Sequence, residues 1–468
     1  MLTKEIIEKI KRIEQSDLTL PTAQKEIFGL IETLCQIIIK QAEEIQNLKD
    51  EINRLKGEKG KPDFKAKKEK KETPNDKNNM DVNPEKTWQK SPKNIKINVD
   101  RTIKVELDKE GLPGDLQFKG YEEKLVQNLI IKTDNVLYRM EKYYSPSTRK
   151  TYIAKLSDEL AGSSYGAETK ALIFSLYYEN RVTENKIAAF LNANGLHISE
   201  GTISNILIME ESKKLTAIKD EILEAGLKSG PYQQIDDTGM KIGGENGYAT
   251  ILGNEKYTVF KIMYSKSREA VMTFLTAQLL SLFIVLVGDD APQFKKLAER
   301  FALCWVHEER HYRKLTPVLE AHKIELEHKR NEIWIYYDKL KDYKEDPTKE
   351  KKDKLWDEFD KIFIDETGYE ELDKRILLTY AKKHELLTVL DYPEIPLHNN
   401  LSENGIREMV IKRKISGGVE TKEGLAAWEN NMSILATCKK LKVSFYDFMK
   451  DFFSKNYSIN LPKLIHQS

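Results

Sequence analysis

The stretch Phe283-Ile-Val-Leu-Val-Gly288 is an unbroken apolar run that ends in Asp289-Asp290. A strand that alternates apolar and polar residues buries one face, whereas a strand with no polar residue is buried on both. The chain must therefore build a sheet that is covered on two sides. Other strands precede this one. Tyr232-Gln-Gln-Ile235 runs into Asp236-Asp237-Thr238-Gly239. Gly247–Gly253 and Tyr257–Tyr264 follow, joined by Asn254-Glu255-Lys256, and the spacing predicts an antiparallel meander.

Two strands thus run into aspartate pairs. An acid at the end of a buried strand is costly unless it is paired, solvated or bound to metal. Hard carboxylate oxygens from separate elements are what Mg²⁺ or Mn²⁺ requires, and two such ions promote phosphodiester chemistry. Asp290-Ala-Pro292 equally suits the start of a helix. A third acid comes from His398-Asn-Asn-Leu-Ser-Glu403, which opens a helical stretch with Asn399 or Asn400 as N-cap. Glu403 falls near the positive end of that helix, and Arg407, four residues on, shares its face. Between Asp290 and Glu403 the periods predict helices over Glu320–Lys341 and Lys349–Ile364, broken at Pro347. Cys304-Trp-Val-His307 stands near their start. A lone Cys-x-x-His pair is weak as a zinc motif, so Cys304 and Trp305 read as core, with His307 left beside the site or against DNA.

Upstream, Ile31, Ile38, Ile45 and Ile52 alternate with Leu34, Gln41, Leu48 and Leu55 as an a/d heptad, the pattern of a parallel two-stranded coiled coil. Lysines then crowd a glycine-bearing stretch from Lys56 to about Asn98, a disordered linker that serves as tether or as auxiliary phosphate contact. Residues 99–165 mix strand-like (Ile103–Leu107) and helical patterns. Over 166–230 the chain is helical, and Thr183–Gly195 followed by Ser199–Leu207, with Ser199 as N-cap, has the form of a helix-turn-helix. The 76 Lys+Arg against 75 Asp+Glu in 468 residues advertise no polyanionic partner globally, which leaves room for a local basic stripe. The 3 cysteines exclude a disulfide framework within one chain. No long apolar run and no signal-peptide core occur, so a cytoplasmic, nucleoid-associated protein without membrane contact is expected.

The order of these motifs resembles the DDE transposases of the insertion sequence 66 group, from the N-terminal zipper to Phe453. The resemblance rests on Asp236 in Asp-Asp-Thr-Gly, Asp289 after a buried strand, the Cys-Trp-x-His element, a helical insertion, Glu403 in Asn-Asn-x-x-Glu, Arg413-Lys414 behind it, and a closing helix over Leu425–Phe453. Three features depart from that pattern. No cysteine lies between Cys35 and Cys304, where the family carries a zinc element. Glu308 and Glu309 stand before Arg310 in place of an arginine run. Asp290-Ala-Pro292 replaces Gly-Tyr after the second aspartate. Asp237 and Asp290 therefore remain alternates by one position, and only one of each pair can face the metals from an extended strand.

The resemblance implies a multidomain, mainly α protein with an α/β ribonuclease-H-like core. Its segments would be a coiled coil (1–56), a linker (57–98), a small α+β domain (99–165), a helix-turn-helix-like region (166–230), the catalytic core (231–453, with a helical insertion at about 300–395) and a tail (454–468). It implies DNA strand cleavage and strand transfer by Asp236, Asp289 and Glu403 around two Mg²⁺ or Mn²⁺ ions, with no zinc. DNA contacts would come from Arg407, Arg413, Lys414, Thr202, Ser204, Asn205, His307 and Arg310. Partners would be element ends and target DNA, a second copy or higher oligomer through the coiled coil, and accessory transposition proteins. A silent DNA-binding descendant and a nuclease that cuts without joining are the alternatives.

Overall fold

The computed structural model describes residues 29, 31–41, 43–45, 48, 98–108, 110, 116–157, 163–209, 212–364 and 366–467. Ile52, Leu55 and the lysine-rich linker up to residue 97 lie outside them. The chain divides into two units, residues 1–40 with 131–468, and residues 41–130. In the second unit, the described residues are helical at 41, 43–45 and 48 and carry no helix or strand over 98–130. Ile103–Leu107 alternates but joins no strand among the described residues, and Ile103, Val105 and Leu107 are exposed. Alternation without a partner strand or a core to cover it does not make a sheet.

In the first unit a hairpin, β1 (Lys142–Ser145) and β2 (Lys150–Ile153), is followed by helix α1 (Ala167–Phe174), a π-turn (Ser175–Glu179), α2 (Glu184–Ala193), α3 (Glu200–Ile208) and α4 (Ser212–Leu227). Gly195, at φ +88°, turns the chain between α2 and α3. Ser199 caps α3 by accepting the Thr202 amide at 3.2 Å, a bond worth about 1 kcal/mol.

The sheet follows: β3 (Tyr232–Ile242), β4 (Glu245–Gly253), β5 (Thr258–Met263), then α5 (Arg268–Phe274), α6 (Ala277–Leu280), β6 (Val285–Gly288) and β7 (Arg300–Leu303). The spatial order is β5-β4-β3-β6-β7, antiparallel through β3–β4–β5 and parallel through β3–β6–β7. Every residue of β6 is buried, as its composition requires. Leu286 and Ile235 join a first hydrophobic core built with α1–α4 and the C-terminal helices. Val285, Val287 and Tyr232 join a second core on the other face.

That second core is helical: α7 (Trp305–Arg313), α8 (Glu320–Glu345), α9 (Lys349–Phe363), α10 (Glu370–Tyr380) and α11 (Lys383–Leu386). Trp305 is its centre, ringed by Tyr336, Phe359 and Phe363. Helical residues of the N-terminal segment dock on it. The Glu32 carboxylate accepts the Val318 and Leu319 amides at the start of α8, and Gln36 reaches the Tyr369 hydroxyl at 3.1 Å.

The chain ends with α12 (Asn400–Ser416), α13 (Lys422–Lys440), α14 (Phe445–Phe453) and α15 (Leu461–Gln467). The stretch expected as one closing helix is split between α13 and α14, where Lys442 takes φ +57°. Among the described residues, no helix is long and apolar enough to cross a membrane.

Candidate active site

Strand register brings the two aspartate pairs level. β3 pairs with β6 at Tyr232↔Val285, Gln233↔Leu286 and Gln234↔Val287, and then the parallel ladder stops. Carried two residues further, the same register sets Asp236 beside Asp289. Asp289 follows the carboxyl end of β6, and Asp236 stands where β3 loses β6 as its parallel neighbour, the kind of place where open α/β sheets form their crevices. β3 itself does not end there. It continues past Asp236 to Ile242 as an arm paired with β4 alone, so the expected strand end is a change of partner.

The members of each pair have different surroundings. Asp237 accepts Gln293 Nε2 at 2.6 Å, and its own amide donates to Asp236 Oδ1 at 2.8 Å. Asp290 forms ion pairs with Lys295 at 2.6 Å and Lys382 at 2.5 Å. Asp289 Oδ1 accepts the Ala291 amide at 3.2 Å. The Asp236 carboxyl is pushed up to about 7, by burial first and then by the negative charges of Asp289, Asp237 and Glu403. Asp236 therefore lies within electrostatic reach of Asp289 and Glu403, both distant from it in sequence.

Helix α12 delivers the third. Asn399, fully buried at its N-cap position, does not cap with its side chain. Its Nδ2 instead donates to the Ile235 carbonyl at 2.8 Å, and its backbone amide donates to Cys304 Sγ at 3.3 Å. One residue thus ties the start of α12 to β3 immediately before Asp236 and to the end of β7. Ile251, the register partner of Asp236, packs against Gly405; a Cβ there would stand 2.2 Å from Ile251 Cδ1. Glu403, 19% exposed, accepts Arg310 at 3.1 Å through Oε2, and its Oε1 lies 3.4 Å from His307 Nε2. Burial lowers the pKa of His307 and favours its neutral form.

The remaining expected contacts spread along the same surface or away from it. Arg407 and Lys414 are exposed on α12, while Arg413 reaches Thr238 Oγ1 at 3.4 Å. Arg413, Lys414, Lys241 and Tyr248 border a hollow of about 550 Å³ that Gly417 and Gly418 also line. Thr202 and Ser204 are partly buried on α3, where Thr202 is engaged with Ser199, and Asn205 faces outward. His307 and Arg310 sit against Glu403. Sequence reasoning missed the Asn399 side-chain tie, for which the doubled asparagine was the available signal. It also missed Lys412, a buried lysine whose Nζ lies 3.1 Å from the Tyr177 ring centre and donates to the Tyr177 carbonyl at 2.8 Å.

The donor set suits hard divalent cations. It consists of carboxylate oxygens, one of them raised by burial and by its neighbours' charge, and Glu403 Oε1 is buried with no hydrogen-bond partner. A cation among them would relieve both the repulsion and the missing partner.

Two comparisons bear on this chain. The family model described as Transposase IS66 family matches residues 162–427, which include both strands and α12. The uncharacterized protein y4jO of Sinorhizobium fredii (strain NBRC 101917 / NGR234) is 30% identical, over 49% of this chain and 94% of that protein.

Proposed function

Because the chain belongs to the IS66 transposase family, we propose that it acts by the DDE mechanism, cutting DNA at the ends of an insertion sequence and joining them to a target. The observation that carries this reading is the convergence of three segments, the β3–β6 register that sets Asp236 beside Asp289 and the Asn399 bond to Ile235 that holds the start of the Glu403 helix against β3. The sheet, an antiparallel meander extended by two parallel strands, supports a ribonuclease-H-like core in which the helices over 305–390 form the insertion.

Asp236, Asp289 and Glu403 would hold two Mg²⁺ or Mn²⁺ ions. When bound, such ions activate a hydroxyl and stabilise the leaving oxygen of a phosphodiester. In the first step a water oxygen attacks the scissile phosphorus, the bond to the 3′ oxygen breaks, and that oxygen leaves as a 3′ hydroxyl. In the second, this hydroxyl attacks a target phosphodiester and a new 3′ oxygen departs. Asn399 fixes the height of α12 above β3, so that Glu403 meets the aspartates without a search. Arg407, Arg413 and Lys414 would grip phosphates and set the register of the strand. The α2–α3 pair would read the element ends, with Asn205 outward. A second copy would pair through the exposed Leu34 and Ile38.

The test is strand cleavage on a duplex spanning the junction between the element and its flanking DNA. The wild-type chain should nick it only with Mg²⁺ or Mn²⁺ and leave a 3′ hydroxyl. Asp236→Ala, Asp289→Ala and Glu403→Ala should each lower cleavage at least about a thousandfold while retaining end binding. A wild-type chain that binds the ends and never cuts them would overturn the reading, and cutting without joined product would reduce it to a nuclease.

A further inference from the structure

Among the described residues, Cys304, His307 and Glu403 each offer a ligand atom within 4.8 Å of the others. Cys304 ends β7 and begins α7, and its Sγ accepts backbone amides from Asn399, His307 and Val306. Amide donors gathered on a sulfur stabilise a thiolate. Burial opposes them and pushes the free thiol up to about 11, a penalty that a coordinated cation removes. His307, three residues on, lies on the same side of the first turn of α7. His307 Nδ1 and Glu403 Oε1 are buried atoms with no hydrogen-bond partner. The positive charge at this point comes from Arg310, 3.1 Å from both His307 Nε2 and Glu403 Oε2.

A thiolate, an imidazole and a carboxylate are a soft-to-borderline donor set, unlike the all-oxygen set of Asp236 and Asp289. We propose that Cys304, His307 and Glu403 form a site for one thiophilic divalent cation of the zinc type, and that its occupancy withdraws Glu403 from Asp236 and Asp289. The ion displaces Arg310 from Glu403 and leaves a fourth position for water. The zinc element whose cysteines this chain lacks is not involved, because the donors come from the core itself. The first half of the proposal stands on the cluster alone. The second rests on the catalytic role of Glu403 and makes zinc an inhibitor of the magnesium-dependent reaction.

Co²⁺ titrated into the full-length chain without Mg²⁺ is the direct probe. A near-ultraviolet band from thiolate-to-cobalt charge transfer is expected, displaced by Zn²⁺ and lost in Cys304→Ser. Cys35→Ser and Cys438→Ser should keep it. His307→Ala retains the sulfur and should weaken Co²⁺ binding about tenfold or more, which guards against a Cys304→Ser variant that fails to fold. Absence of the band in wild type, or its survival in a folded Cys304→Ser chain, overturns the site. In the cleavage assay at fixed Mg²⁺, added Zn²⁺ should slow wild type about tenfold or more and leave Cys304→Ser near its own zinc-free rate. A wild type that cuts and ignores Zn²⁺ overturns the competition. A wild type that never cuts defeats the catalytic reading, and the cobalt band still decides the site.

Discussion

Asp236 carries a proton in the folded chain at a pH where the unfolded chain has released it, since its pKa is raised from 3.8 to about 7. A group whose folded pKa is raised contributes stability fully below its unfolded pKa and loses that contribution as pH rises through the folded value. The window here runs from about 4 to about 7. Asp236→Asn should therefore raise the melting temperature at pH 8 in chelator and lose this advantage at pH 4. The difference should be on the order of 1–4 kcal/mol. Equal shifts at both pH values would show that neither burial nor the neighbouring carboxylates raise Asp236. At this scale the sequence revealed that acids follow strands, but not which member of each pair matters. In the fold Asp237 is taken up by Gln293, and Asp290 by the nearby Lys295 and the distant Lys382. Lys412 was illegible for a related reason. It sits in an ordinary basic run, and only folding brings Tyr177, Tyr178 and Trp428 around it.

Among the elements, α13 takes an unusual place beside β5, which has β4 on one side only. Glu429, Ser433 and Thr437, one helical turn apart, accept the amides of Ile262, Phe260 and Thr258 at 2.8, 2.9 and 3.2 Å. Alternate amides of a strand and successive turns of a helix have different rises, about 6.8 and 6 Å. They are close enough for three side chains to stand in for a missing strand. The Glu429 carboxylate also pairs with Lys219 and Lys261. Glu429→Ala should therefore cost about 3–5 kcal/mol, against about 1–2 for Ser433→Ala, measured by urea unfolding. Similar losses for both would mean that the lysines contribute nothing. The meander, the fully buried strand and the helices on either side of Gly195 were legible because each rests on a local period or a turn residue. The β5–α13 ladder was not, because polar residues inside a buried helix face follow no such pattern. Ile103–Leu107 shows the converse, a period with nothing to pack against.

Across the whole molecule, one sheet is shared by two cores, and the candidate site lies at the edge of the helical one. The N-terminal helical residues dock on that core with the face bearing Glu32 and Cys35. Leu34 and Ile38 of the heptad remain outward, 58% and 44% exposed. Ile31, the first residue of the heptad seam, packs on the docked cluster, so a second copy would meet Leu34 and Ile38 and leave Ile31 to the contact within one chain. Leu34→Glu combined with Ile38→Glu should convert a dimer to a monomer by light scattering while leaving the melting temperature nearly unchanged. A dimer that survives would place the contact elsewhere.

The β5–α13 ladder also has a consequence in time. The amides at 258, 260 and 262 wait for partners 167–179 residues later in the chain. At a ribosomal pace of about 5–20 residues per second, that is roughly 10–35 s. For that interval the nascent polypeptide presents an open hydrogen-bonding rim to its neighbours on the polysome. Chaperone capture during synthesis should therefore matter more to its yield than the stability of the finished fold.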